Sequence, residues 1–461
     1  MAKRNPPSLA LFIVMMMAAG AGGGEIGMNW GRKTSHRMLT SMVADILLQN
    51  GIRNLKIFSH EVQAMEAFSG TGISLTVTLP TAGITLTSLN SPGYSRYWLN
   101  DHARVFRNMN INVTNVHIGT DEMRHDNPTY YTTCVMALGY LQYGIKMNGH
   151  HYLSATVVHY VDMLNPLTLP SQAEFKEIYR DSVAQLLKAI NGTRSRFAVS
   201  IIPFQLIIDY DLDVEFGFMD NTSNFTITDA NTGLIYTNAF QFIYDSYLAA
   251  ITKLGATPEI EIEVSKIGWP TDGHPLATLS NAERFYKGIL PHIKSNKGTP
   301  LKPGASIDAY ILNIADENMQ NIQDGGPYQR HWGIYKSNGE SKFKIDLSGE
   351  GRDIYPTVAR GIVSMPKRWC VFNGDKSNLT RVKEQFDFVC QKADCTSLSP
   401  GGSCGNLNFE QNISYAFNNY FQMRAQYNKN GSSSSCDFNG LGTVVTGDPS
   451  VGICEFMVEI L

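Results

Sequence analysis

Eight short apolar segments recur through the first three quarters of the chain, with amphipathic helices between them. The segments are Ile26–Trp30, Leu55–Phe58, Ile73–Leu79, Asn115–Gly119, Ser154–His159, Ala198–Ile202, Ile260–Val264 and Ala309–Ile314. Ser171-Gln172-Ala173-Glu174 reads as a capping box. Behind it Phe175, Ile178, Tyr179, Val183, Leu186, Leu187 and Ile190 keep one apolar face. Ser280-Asn281-Ala282-Glu283 repeats the box ahead of Phe285 and Ile289. A third helix, from about Asn238 to Leu254, stops at Gly255, a residue suited to the left-handed position after a helix. Eight βα units over about 320 residues predict an α/β fold, a (β/α)8 barrel. An open doubly wound sheet is the alternative, weakened because no G-x-G-x-x-G follows a strand.

The pattern fades after the eighth segment. Six of the seven cysteines then follow: Cys370, Cys390, Cys395, Cys404, Cys436 and Cys454. An even set in a short secreted segment implies a disulfide framework, and six cysteines allow fifteen connectivities. Cys134 stands alone in an apolar stretch and reads as a buried thiol. The N-terminus reads as a secretory signal: Lys3 and Arg4, an apolar run from Leu9 to Ala18, then Ala19-Gly20-Ala21. That run is too short to span a bilayer. The expected organisation is a signal peptide (1–24), a barrel (25–348), a linker (349–367) and a six-cysteine module (368–461). Secretion makes Asn112, Asn191, Asn221, Asn224, Asn378, Asn412 and Asn430, each in N-x-S/T, candidate glycosylation sites. The last cysteine lies close to the final residue, Leu461, so no glycolipid-anchor signal is expected.

A net charge of −3 gives no footprint for nucleic acid or an anionic membrane. No His/Cys/Asp spacing argues for a metal, and no cofactor is expected. In a (β/α)8 barrel chemistry sits at the C-terminal strand ends. There the fourth segment runs into Gly119-Thr120-Asp121-Glu122, the seventh into Ser265-Lys266-Ile267-Gly268-Trp269-Pro270, and the eighth into Asp316-Glu317-Asn318. His117 and His159 read as hydrogen-bonded structural histidines. Strict strand alternation puts Glu261 and Glu263 on the face opposite Lys266, toward the helices.

The motifs GMNWG (27–31), YTNAF (236–240), VSKIGWPTDG (264–273) and RHWGIY (330–335) resemble plant endo-β-1,3-glucanases of glycoside hydrolase family 17. RWCVFN (368–373), ADC (393–395), PGGSC (400–404), SYAFNNYFQ (414–422), CDFNG (436–440) and DPSVGIC (448–454) are similar to the β-1,3-glucan-binding module of family 43. The resemblance implies a retaining glycosidase barrel, a polysaccharide partner (β-1,3-glucan, callose) and a secreted protein of the plant cell wall or apoplast. It also implies disulfides Cys370–Cys436, Cys390–Cys395 and Cys404–Cys454. Trp30, Thr120, Glu122, Phe204, Trp269 and Trp332 become candidate substrate contacts, with Tyr415 and Tyr420 in the module. Phe204 and Trp332 read equally well as core residues.

Retaining chemistry needs two carboxyl groups about 5–5.5 Å apart, one a protonated acid and one an ionised nucleophile. The chain departs from the family at both. Asp121 stands where the acid/base glutamate belongs, and Lys266 where the nucleophile belongs. Ser59 and Gln329 replace two further family carboxylates, while Glu317 keeps its supporting counterpart. An ammonium cannot form the glycosyl ester, and it opposes a nearby oxocarbenium ion. Three readings follow: a glucan-binding protein weak or inactive as a hydrolase, an active glucanase using Asp121 and an unforeseen second carboxylate, or a structural wall protein without sugar affinity. Alternatively Lys266 serves only to pair with Asp121, Glu122 or Glu317.

Overall fold

The computed structural model describes residues 23–79, 89–119, 128–166, 168–220, 222, 224–323, 325–361, 367–427 and 433–458. Eight parallel strands close into a barrel: β1 (Ile26–Trp30), β2 (Asn54–Ile57), β3 (Ser74–Leu79), β4 (Val113–Ile118), β5 (Ser154–His159), β6 (Phe197–Ser200), β7 (Ile262–Ile267) and β8 (Ala309–Ile311). Closure is made by β8 against β1, with Met28 opposite Ile311. The outer strand faces carry Leu55, Ile57, Leu75, Val77, Val116, Ile118 and Val157, all buried in one continuous core. Each such side chain contributes about 1.5–3 kcal/mol on burial.

The inner face differs from the branched-aliphatic filling usual in such barrels. Asn29 Nδ2 donates to the Ser265 carbonyl (3.1 Å), Lys56 Nζ to Ser265 Oγ (2.5 Å), and His117 Nε2 stands 3.3 Å from the Glu263 carboxylate. These pairs join strands that are not neighbours in the barrel, so they cross the lumen. Glu263 therefore points inward, not toward the helices. A register shift in β7 around Val264–Ile267, seen against both β6 and β8, adds one residue and inverts the alternation. Ser265 and Lys266 consequently both reach the lumen or its mouth.

Other expectations are also corrected. The seventh strand continues to Ile267 because Lys266 is buried rather than terminal. The eighth ends at Ile311. The first capping box does not form: Ser171 Oγ donates instead to Asp229 (2.7 Å), and the helix begins at Glu177. In the second, Thr278 is the cap and accepts from Asn281 N, ahead of a helix over Leu279–Lys294. The helix Ala239–Lys253 is capped by Asn238, and Gly255 takes φ +87°. Within the segment read as a linker, residues 349–361 are strapped to the barrel. Arg360 pairs with Asp45 (2.5 Å) and the Thr357 N–H donates to Asn50 (2.8 Å).

The C-terminal module pairs β9 (Trp369–Phe372) antiparallel to β10 (Gly442–Val445) and packs the helix Phe409–Tyr427 against this ribbon, with the helix Leu379–Cys390 packed on that helix. Its bridges are Cys370–Cys436, Cys390–Cys395 and Cys404–Cys454. Cys134 is buried and forms no disulfide.

The module docks on the loops after β7 and β8. Ser403 donates through N and Oγ to Asp272 (2.6 Å each), Arg330 pairs with Asp394 (2.9 Å), and His331 Nε2 meets Thr396 Oγ1 at 2.8 Å. Burial alone lowers the His331 pKa, but Asp316, Asp394 and Asp272 outweigh it and raise the group above its ordinary value. The stability this supplies is fully present below the unfolded value, about pH 6.5, and is lost as pH rises through the folded value. Thermal melts from pH 5 to 9 should show that loss in the wild type. His331→Gln should flatten it.

Candidate active site

At the barrel mouth the β7 bulge delivers Lys266, 2 % exposed. Its Nζ donates to Tyr160 Oη (3.1 Å) and lies 4.9 Å from the centre of the Phe58 ring and 5.6 Å from that of Tyr160. Phe58 and Tyr160 directly follow β2 and β5, so three strand ends meet on one ammonium. The aromatic faces offset part of its desolvation cost. Sequence reasoning missed both rings, although their place immediately after a strand end was the available signal.

Glu317 is held between the loops after β1 and β8. Lys33 N donates to Oε1 (2.9 Å) and Asn313 Nδ2 to Oε2 (3.0 Å), while Asn313 Oδ1 accepts from Gly31 N (3.2 Å). A Cβ at Gly31 would fall 2.0 Å from the Glu317 carboxyl carbon, so this approach requires glycine. Asn318 extends the clasp to Ser35, its Oδ1 accepting from Ser35 N (2.8 Å). Asn313 was also not singled out from the sequence. β4 ends at Ile118, and Gly119, which follows it, takes a φ of +89°. Thr120, Asp121 and Glu122 lie outside the described residues, as do Asn221 and Asn430.

Most of the aromatic residues expected to contact substrate are enclosed. Phe204 and Trp269 are fully buried, their centroids 5.2 Å apart in an edge contact, and Trp269 Nε1 donates to the Leu276 carbonyl (2.9 Å). Trp332 packs edge-on to Phe204 at 6.1 Å, and Trp30 to Phe68 at 6.3 Å. Tyr415 is buried beside the docking seam, where its hydroxyl meets Ser397 and Asn419. Phe204 and Trp269 thus belong to the core behind the mouth, while Trp30, Trp332 and Tyr415 keep only a small edge exposed. Tyr420 is half-buried and lies 5.7 Å from Phe388, itself exposed. Among the described residues, Tyr94, Tyr97 and Tyr130 are exposed rings within the first two turns of the helices after β3 and β4. Gln329 sits in the turn Pro327–Arg330, and Ser59 Oγ accepts from Glu61 N (3.1 Å). Asn112, Asn191, Asn224 and Asn378 are exposed, whereas Asn412 is half-buried and donates to the Leu407 carbonyl (3.1 Å).

Residues 26–347 match the model of glycosyl hydrolases family 17, and residues 368–443 match that of the X8 domain. The chain belongs to glycosyl hydrolase family 17. Glucan endo-1,3-beta-glucosidase 5 of Arabidopsis thaliana is 34% identical over 442 residues, which is 94% of this chain and 88% of that protein. Glucan endo-1,3-beta-glucosidase 8 of the same plant is 30% identical, over 98% of this chain and 92% of its own. Among solved structures, CJP38, a beta-1,3-glucanase and allergen of Cryptomeria japonica pollen, superimposes with a TM-score of 0.64 at 25% identity. It covers 70% of this chain and 99% of its own. Within this family-17 barrel no described helix is long and apolar enough to cross a membrane.

Proposed function

We propose that the chain is a secreted wall or apoplastic protein that binds β-1,3-glucan and hydrolyses it weakly or not at all. The observation that carries this reading is Lys266, a buried ammonium seated on Tyr160 and Phe58 at the strand end where the family's nucleophile belongs. Placing a cation there removes covalent attack while leaving the mouth and the X8 module built. Asp121 would keep a carboxyl but reach about 1.5 Å less far, and a 1 Å misplacement can cost about a hundredfold in rate. The linkage is taken from the relatives, which are glucan endo-1,3-beta-glucosidases. Tyr94, Tyr97 and Tyr130 on the barrel, with Tyr420 and Phe388 on the module, expose ring surface on which sugar can stack.

Affinity electrophoresis through β-1,3-glucan tests the binding half, and reducing-sugar release from the same preparation tests the catalytic half. Retarded migration without turnover is expected, with Tyr97→Ala migrating faster than wild type. Turnover comparable to an active family member would favour an enzyme using Asp121 and a second carboxylate. Unretarded migration would favour a structural role without sugar affinity.

A further inference from the structure

The lumen also opens at the opposite end of the barrel, at the N-terminal strand edges. A cavity of about 540 Å³ runs inward there to His117 and Glu263. It exists because the inner face is polar and partly small: Gly27, Asn54, Ser74 and Asn115 stand where bulky aliphatic side chains usually plug such a barrel. Its depth is chemically unfinished. His117 is 2 % exposed and Glu263 5 %. Among the described residues nothing hydrogen-bonds to His117 Nδ1 or to Glu263 Oε1, the 3.3 Å contact with His117 Nε2 not being directed as a hydrogen bond. Burial lowers the His117 pKa, with Lys56 adding to the effect and Glu263 opposing it. With its proton on Nε2, toward Glu263, Nδ1 offers a lone pair. The end of the cavity therefore presents acceptors and calls for a donor.

The rim has a sign as well. Glu25, Glu259, Glu261 and Asp308 line it together with Arg194 and Arg196. Arg196 is already engaged by Glu261 (2.9 Å) and by Asp308. With Glu263, five lining carboxylates face two guanidiniums, so the cavity attracts cations. Among the described residues no cluster of three or more His, Cys, Asp or Glu side chains could hold a metal ion. Glu261 and Glu263 alternate along the chain entering β7, where alternate residues of an extended chain stand about 6–7 Å apart, and Glu259 lies in the turn just before them. Two ammonium groups joined by a four-carbon chain match that spacing.

We propose that this basal cavity binds a small aliphatic di- or polyamine, one ammonium donating to Glu263 and His117 Nδ1 and a second lying among the rim carboxylates. The site is at the far end of the barrel from the sugar mouth, and the proposal does not rest on the glucan reading.

Titration of the full chain with putrescine and with spermidine by calorimetry tests it. Saturable binding is expected, tighter for spermidine, and weakened by about 0.3 M salt because the rim charges are exposed. Glu259→Gln, at a fully exposed position, should leave the melting temperature unchanged and weaken binding several-fold. Glu263→Gln should weaken it about tenfold, the worth of one hydrogen bond to a charged group. Absence of heat with either amine would overturn the proposal. So would affinity unchanged in both variants, or equal affinity for magnesium chloride or glucose.

Discussion

Lys56→Met is expected to destabilise the chain by about 3–5 kcal/mol, the usual cost of removing one partner from a buried charged group. Lys56 is fully buried in the lumen, bonded to Ser265 Oγ, and its charge acts on both Glu263 and His117. Burial by itself raises the Glu263 pKa, yet His117, Arg196 and Lys56 outweigh it and hold the carboxyl below its ordinary value. Removing the ammonium takes away one of the charges that offset the burial of that carboxylate. Lys56→Met combined with Glu263→Gln should recover most of the loss, since no uncompensated charge then remains. Urea unfolding midpoints of the wild type, the two single variants and the double variant measure the coupling. Strict additivity would show that the two charges do not sense each other across the barrel.

Restoring both carboxylates should produce the largest functional change. Lys266→Glu places an acceptor against Tyr160 Oη, and Asp121→Glu regains the missing methylene. Reducing-sugar release from a soluble β-1,3-glucan should rise at least about a hundredfold over wild type in the double variant. Each single variant should gain far less, because nucleophile and acid act as a unit. A folded, glucan-retarded double variant without turnover would show that the mouth has lost more than these two groups.

Much of the barrel was legible because its strands are apolar runs set between periodic helices, and the family motifs fall at strand ends. What escaped depended on contacts distant in sequence. Ser171 has the right spacing for a cap but is captured by Asp229, 58 residues away. Strand alternation sends Glu263 outward on paper; one extra residue in β7 turns it into the lumen to meet His117 from β4. Glu261 and Glu263, with Glu259 before them, line the basal cavity instead of meeting helices. Phe204 and Trp269 have the composition of sugar platforms, yet their neighbours Phe218, Phe285 and Tyr328 close over them, which no local pattern encodes.

The loss of covalent chemistry at Lys266 is tested most directly by trapping. Incubation with an activated 2-deoxy-2-fluoro-β-glucosyl donor, followed by intact-protein mass measurement, reports any glycosyl ester. The wild type should gain no mass, while the variant carrying Lys266→Glu and Asp121→Glu gains one glycosyl unit on residue 266. A stoichiometric adduct on any carboxylate of the wild-type chain would contradict the account.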